Sequence, residues 1–126
     1  MRKTAFVIGL FLSQVAFSQT PAEPSQTEQL KLIYNLVFSP LSSDDVKARA
    51  LGYFGGGAHS GFCDANNCGY TIFECVTNAD STKSCKLDAV HEIRERGLVD
   101  HEVVDFTVNA QDEVLSAKYS ESRDNL

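Results

Sequence analysis

All four cysteines of the chain, Cys63, Cys68, Cys75 and Cys85, fall in one stretch that opens on the run Gly55-Gly56-Gly57-Ala58-His59-Ser60-Gly61. Four cysteines allow three pairings. Tyr70 to Thr77 is dense in β-branched and aromatic residues and is bounded by Gly69 and Asn78-Ala79-Asp80, which predicts a strand. If 68 to 75 is extended, Cys68 and Cys75 lie roughly 20 Å or more apart, whereas a disulfide needs Cα atoms within about 7 Å. Cys68–Cys75 is therefore excluded, and Cys63–Cys85 with it. Of the two pairings left, Cys63–Cys68 with Cys75–Cys85 is preferred over Cys63–Cys75 with Cys68–Cys85. The first bridge closes the loop Cys63-Asp64-Ala65-Asn66-Asn67-Cys68, and the second ties the strand to the segment after it. Closing loops of these lengths stabilises by roughly 2 and 3 kcal/mol, a large share of the about 5–15 kcal/mol that keeps a domain folded.

The redox state of the sulfurs depends on compartment. Met1-Arg2-Lys3 is basic, Thr4 to Val15 is uncharged and mostly apolar, and Ala16-Phe17-Ser18 places small residues ahead of Gln19. Basic, apolar, then small-x-small predicts a secretory signal peptide over 1–18, cleaved near Ser18. The apolar run is too short to span a bilayer, and no second run is long enough, so no membrane span is expected. Export makes the product periplasmic or secreted, and an even cysteine count then reads as two disulfides. The competing metal set, His59-x3-Cys63-x4-Cys68 with Cys75 or Cys85, has no Cys-x2-Cys and needs reduced sulfur. No metal and no other cofactor is expected.

Cleavage leaves roughly 108 residues, the size of one ordinary domain. It also removes Arg2 and Lys3, so the balance moves from 11 basic against 17 acidic residues to 9 against 17, or from −6 to −8. Such a chain is poorly suited to nucleic acid, whose affinity comes from Lys and Arg displacing counterions. It suits a basic protein partner, because complementary fields speed encounter.

Residues 19–25 read as a flexible leader, 26–120 as a single domain and 121–126 as a polar tail. Ser25 with Glu28 matches a capping box. Leu30, Ile33 and Val37, with Leu36 beside them and Gln29 and Lys31 off the face, predict a helix over 27–38 that Pro40 ends. Ser42 with Asp45 repeats the cap signature, and Val46, Ala50 and Phe54 mark a second helix that Gly55-Gly56-Gly57 stops. After the strand, Leu87, Val90 and Ile93 with Arg94, Arg96 and Gly97 predict a third helix over 84–96. A short strand over 84–87 competes with it. Alternation over 103–108 and 114–119 predicts a hairpin around Asn109-Ala110-Gln111-Asp112-Glu113. The expected fold is α+β in the order α-α-β-α-β-β, with helices on one face of a small antiparallel sheet and disulfide bracing.

No residue set carries a catalytic signature. His91-Glu92-Ile93-Arg94-Glu95 has Glu95 where a zinc-protease helix has its second histidine, His101 neighbours no serine motif, and Gly55–Gly61 lacks the ending of a phosphate loop. The chain is therefore expected not to be an enzyme. Asp64-Ala65-Asn66-Asn67 has too few oxygens at calcium spacing and reads as a turn. Loops on rigid scaffolds often carry binding, which makes His59, Phe62, Asp64, Asn66 and Asn67 the candidate partner-binding residues. The expected function is a small exported binding protein, an inhibitor or immunity protein directed at a basic secreted toxin or cell-wall hydrolase. A structural or assembly accessory of the cell envelope is the alternative, with a metal-binding protein or small enzyme built around His59, His91 or His101 ranked behind both.

Overall fold

The computed structural model describes residues 20–54 and 62–126. Two helices, α1 (Gln26–Phe38) and α2 (Asp44–Phe54), lead into strands β1 (Phe62–Cys63), β2 (Asn67–Thr77), β3 (Lys83–Ile93), β4 (Leu98–Val108) and β5 (Val114–Asn125). Sheet order follows chain order, and every neighbouring pair is antiparallel. Both helices pack on one face of the long strands, so the fold is α+β as the sequence leads one to expect.

The helix ends trace to single residues. Ser25 Oγ accepts the Glu28 N–H at 3.2 Å, and Ser39 is extended (φ −73°, ψ 134°) as suits a residue before proline. α2 starts one residue later than its cap signature implied. Ser43 Oγ accepts the Val46 N–H at 3.3 Å, while Ser42 is buried and donates to the Leu36 carbonyl at 2.6 Å. Ser42 thus closes the turn between the helices.

The buried face of α1 is rotated from the expected one. Gln29, Leu32, Ile33 and Leu36 are buried, whereas Leu30 is 47% exposed. A buried amide is tolerable only with partners, and Gln29 has three. It accepts from the Tyr53 hydroxyl and donates to the Pro24 carbonyl at 2.9 Å and to Glu23 Oε2 at 3.3 Å. These contacts also anchor the leader, which was expected to be flexible. Ala22 exchanges both backbone hydrogen bonds with Cys75, at 3.0 and 2.9 Å, on the outer edge of β2.

The third helix expected over 84–96 is instead β3 followed by one 3₁₀ turn, Arg94–Arg96. Local spacing misled here because Leu87 and Val90 are both buried, but on opposite faces of a strand. Pairing decides the matter, since every residue of β3 has a register partner on both β2 and β4. Gly97 does terminate an element, in the left-handed conformation (φ 66°), yet what it ends is the 3₁₀ turn. The last two strands are also longer than their alternation suggested. The expected polar tail belongs to β5, with Asn125 opposite Leu98 and the Leu126 N–H bonded to the Gly97 carbonyl at 2.9 Å.

The core lies between the layers. Leu32, Ile33 and Leu36 of α1 and Val46, Ala50 and Tyr53 of α2 meet Phe73, Cys85, Leu87, Val104, Phe106 and Val108 of the sheet. Phe73 stands edge-on to both Tyr53 and Phe106, with ring centroids 6.0 and 6.2 Å away.

Candidate functional site

The disulfides are Cys63–Cys68 and Cys75–Cys85, the preferred pairing. In each, the two cysteines are direct cross-strand partners, with Cα atoms 3.9 and 4.1 Å apart. The second bridge joins two strands, where a strand and a helix were expected. Asp64 makes the first loop a turn. Its Oδ1 accepts the Asn66 and Asn67 N–H groups at 2.8 and 2.7 Å, and its own N–H bonds to the Asn67 carbonyl. Those backbone donors hold the Asp64 carboxyl below its ordinary pKa, Asn67 contributing most. Arg94 pins the turn from the far side, its N–H on the Asn66 carbonyl and Nη1 on the Asp64 carbonyl.

Of the candidate binding residues, Asp64, Asn66 and Asn67 therefore build this turn, with Asp64 and Asn66 exposed and Asn67 half-buried. Asn67 Oδ1 also lies 3.2 Å from His91 Nε2. Phe62 pairs with Gly69 through the backbone. Its side chain, His59 and the Gly55–Gly61 loop lie outside the described residues. His91 and Glu95 do not share a helical face, because β3 is extended through His91 and Glu95 is in the 3₁₀ turn.

The helices cover only the Phe73–Cys75 end of their sheet face. Beyond α2 the face opens into a groove of about 320 Å³ lined by Arg49, Gly52, Thr71, His91, Asp100 and Glu102, among others. Its charges are matched internally. Arg49 Nη2 is 2.7 Å from Glu102, and Arg123 grips both Asp100 oxygens at 2.6 and 2.8 Å. Arg123 holds the Asp100 carboxyl below its ordinary range. Nearby, the hydrogen bond to Glu121 pushes the Tyr119 hydroxyl up to about 12.

The opposite face of the sheet carries no described element. Strand register places Glu74, Asp88, Glu92, Asp105 and Asp124 on it, against Lys86 and Lys118. Glu74, Lys86, Asp105 and Lys118 form one row of alternating sign. The acidic excess therefore lies towards Asp88, Glu92 and Asp124. There, His101 Nδ1 is 3.0 Å from Asp88 Oδ1 and its Nε2 is 3.9 Å from Asp124 Oδ2. The Tyr70 hydroxyl donates to Glu92 at 3.1 Å, and Arg94 Nε lies 3.0 Å from the other Glu92 oxygen. Arg94 first and Tyr70 second hold the Glu92 carboxyl low, while burial and Glu92 raise the Tyr70 phenol. Ile72, 41% exposed, and the half-buried Val99 and Val103 supply apolar surface between these groups. Sequence reasoning missed this constellation. Its signal was the period-2 recurrence of Asp88, Val90 and Glu92, which was read as helix.

No family model matches the chain, and neither a curated protein nor a solved structure matches it. Among the described residues no helix is long and apolar enough to cross a membrane. Two disulfides are compatible with an extracellular or periplasmic location.

Proposed function

We propose that this is an exported protein that binds and inhibits a basic secreted enzyme, and that it does so through the uncovered face of its sheet. The observation that carries the reading is the five carboxylates against two lysines on that face, set around Tyr70 and Ile72. Carboxylates on a flat, braced surface attract a basic partner from a distance. A tyrosine and aliphatic residues among them supply the apolar contact that such encounters need to persist. The two disulfides keep the strand ends from fraying, so little order has to be imposed on binding. The candidate turn at Asp64–Asn67 flanks the same strand and belongs to the rim of this surface.

The test is capture of basic secreted hydrolases on the immobilised chain, beside a variant carrying Asp88→Lys and Asp124→Lys. The expected result is a stoichiometric basic enzyme whose activity falls on binding, whose capture weakens with salt, and whose association slows by roughly tenfold or more in the variant. Equal capture by both chains would remove the sheet face from the reading. Retention of envelope assembly components in place of an enzyme would replace inhibition with the accessory role.

A further inference from the structure

α1 has a second apolar face that is exposed and lies outside the core formed by the described residues. Leu30, Tyr34 and Phe38 recur every four residues, and Leu41 follows just past the end of the helix. One helical face thus points a line of large side chains away from the sheet. They are 47%, 58%, 69% and 55% exposed, and the Tyr34 and Phe38 rings rest against each other with centroids 4.7 Å apart. Singly exposed apolar residues need no explanation, but a contiguous line of them marks an interaction surface.

We propose that this face is where a second copy of the chain docks, α1 against α1, across a two-fold axis at Tyr34. Three observations select that occupant. The two charged residues of α1 itself are matched within the molecule: Lys31 lies 3.4 Å from Asp112, and Glu28 is bound by Lys83. Along this helix a charged partner therefore finds no unmatched complement, and two antiparallel copies of α1 meet without opposing like charges. The stripe is also self-complementary. Leu30 and Phe38 lie four residues to either side of Tyr34, so an antiparallel pair sets Leu30 opposite the partner's Phe38, as an isologous contact requires.

Area is the third observation. Taking roughly 200 Å² for a whole large side chain, the four exposures leave on the order of 400 Å² of apolar surface per copy. A standard interface needs about 800 Å² per partner. The stripe is the apolar centre of such a contact, with Thr27, Asn35 and Pro40 as its rim. Because the helices cover one face of the sheet, the acidic face points away from this contact, and a dimer leaves two of them open.

The test is sedimentation velocity of the full chain, expressed into an oxidising compartment and analysed as the purified product over a concentration series. The expected result is a mass that doubles in the micromolar range. Leu30→Glu and Phe38→Lys should each yield a folded monomer with the parent's far-ultraviolet spectrum, whose thermal transition, unlike the parent's, does not move with concentration. Mixing these two variants should restore a heterodimer, since a two-fold axis at Tyr34 sets the new glutamate beside the new lysine. A parent chain that stays monomeric at every concentration overturns the proposal, as does a dimer that survives both substitutions. Restoration absent on mixing overturns the axis at Tyr34. Should either variant fail to fold, Leu41→Asp, outside the helix, tests the same face, and a persistent dimer in it counts against the proposal.

Discussion

Gln29 is the residue on which three segments converge. It accepts from Tyr53 of α2 and donates to Pro24 and Glu23 of the leader while standing on the buried face of α1. Gln29→Leu removes the acceptor of the Tyr53 hydroxyl bond and the donor to the Pro24 carbonyl, which should cost about 1–3 kcal/mol in denaturant unfolding. Adding Tyr53→Phe should recover part of that loss, because removing both members of a buried pair costs less than removing one. Hydropathy cannot find such a residue, since the partner that makes its burial tolerable is 24 positions away. Titration gives a second check at this scale. Burial lowers the Lys83 pKa, but hydrogen bonds from Lys83 to Glu28 and Asp112 outweigh it and leave the group raised above 10.5. The phenols of Tyr53 and Tyr70 are raised above 10.0 and that of Tyr119 to about 12. Groups raised in the folded state contribute stability that is complete below their unfolded values and lost as pH climbs through the folded ones. Stability should therefore be level through neutral pH and fall from about pH 10 upward. Lys83→Met should flatten that fall, as read from denaturant midpoints between neutral and alkaline buffers.

At the scale of elements, the β2–β3 hairpin and the end of β5 hold the testable claims. Cys75–Cys85 spans a hairpin at a directly opposed pair. Replacing both cysteines by alanine should cost about 2–3 kcal/mol and lower the melting temperature while the far-ultraviolet spectrum keeps its strand content. Deleting 121–126 should remove about 1–2 kcal/mol of backbone pairing, where a solvated tail would remove nothing; calorimetry separates the two. Much of this level was legible in advance: both first helices, the central strand, the closing hairpin and the disulfide pairing. The extended run from Cys68 to Cys75 excluded one pairing of three, and the observed one is the preferred member of the two that remained. β3 was not legible, because apolar residues on both faces of a strand mimic helical spacing. The end of β5 was hidden for a different reason. Ser120-Glu121-Ser122-Arg123-Asp124 has no apolar face, and backbone bonds to β4 with the Arg123–Asp100 fork hold it in place.

For the whole molecule, layering decides what is available to partners. Among the described residues two helices cover one face of the sheet and no element covers the other, so net charge, a bulk property of composition, becomes a local one through strand register. The sequence showed that the chain is acidic; only the register shows that Asp88, Glu92 and Asp124 share a face. Product purified from an oxidising compartment should weigh four hydrogens less than its reduced mass, and non-reducing peptide maps should return Cys63–Cys68 and Cys75–Cys85. Free thiols at these positions would undo both the bracing and the compartment. The meander has one further consequence, which concerns time. Cysteines pair in the order in which they occur, over separations of 5 and 10 residues, and each strand of the sheet binds the strand made just before it. A chain delivered amino-terminus first can close Cys63–Cys68 before Cys75 arrives, which leaves Cys85 as the free thiol for Cys75 to meet. Oxidation can then keep pace with delivery, hairpin by hairpin, with no mispaired bond to be undone and little call on an isomerase.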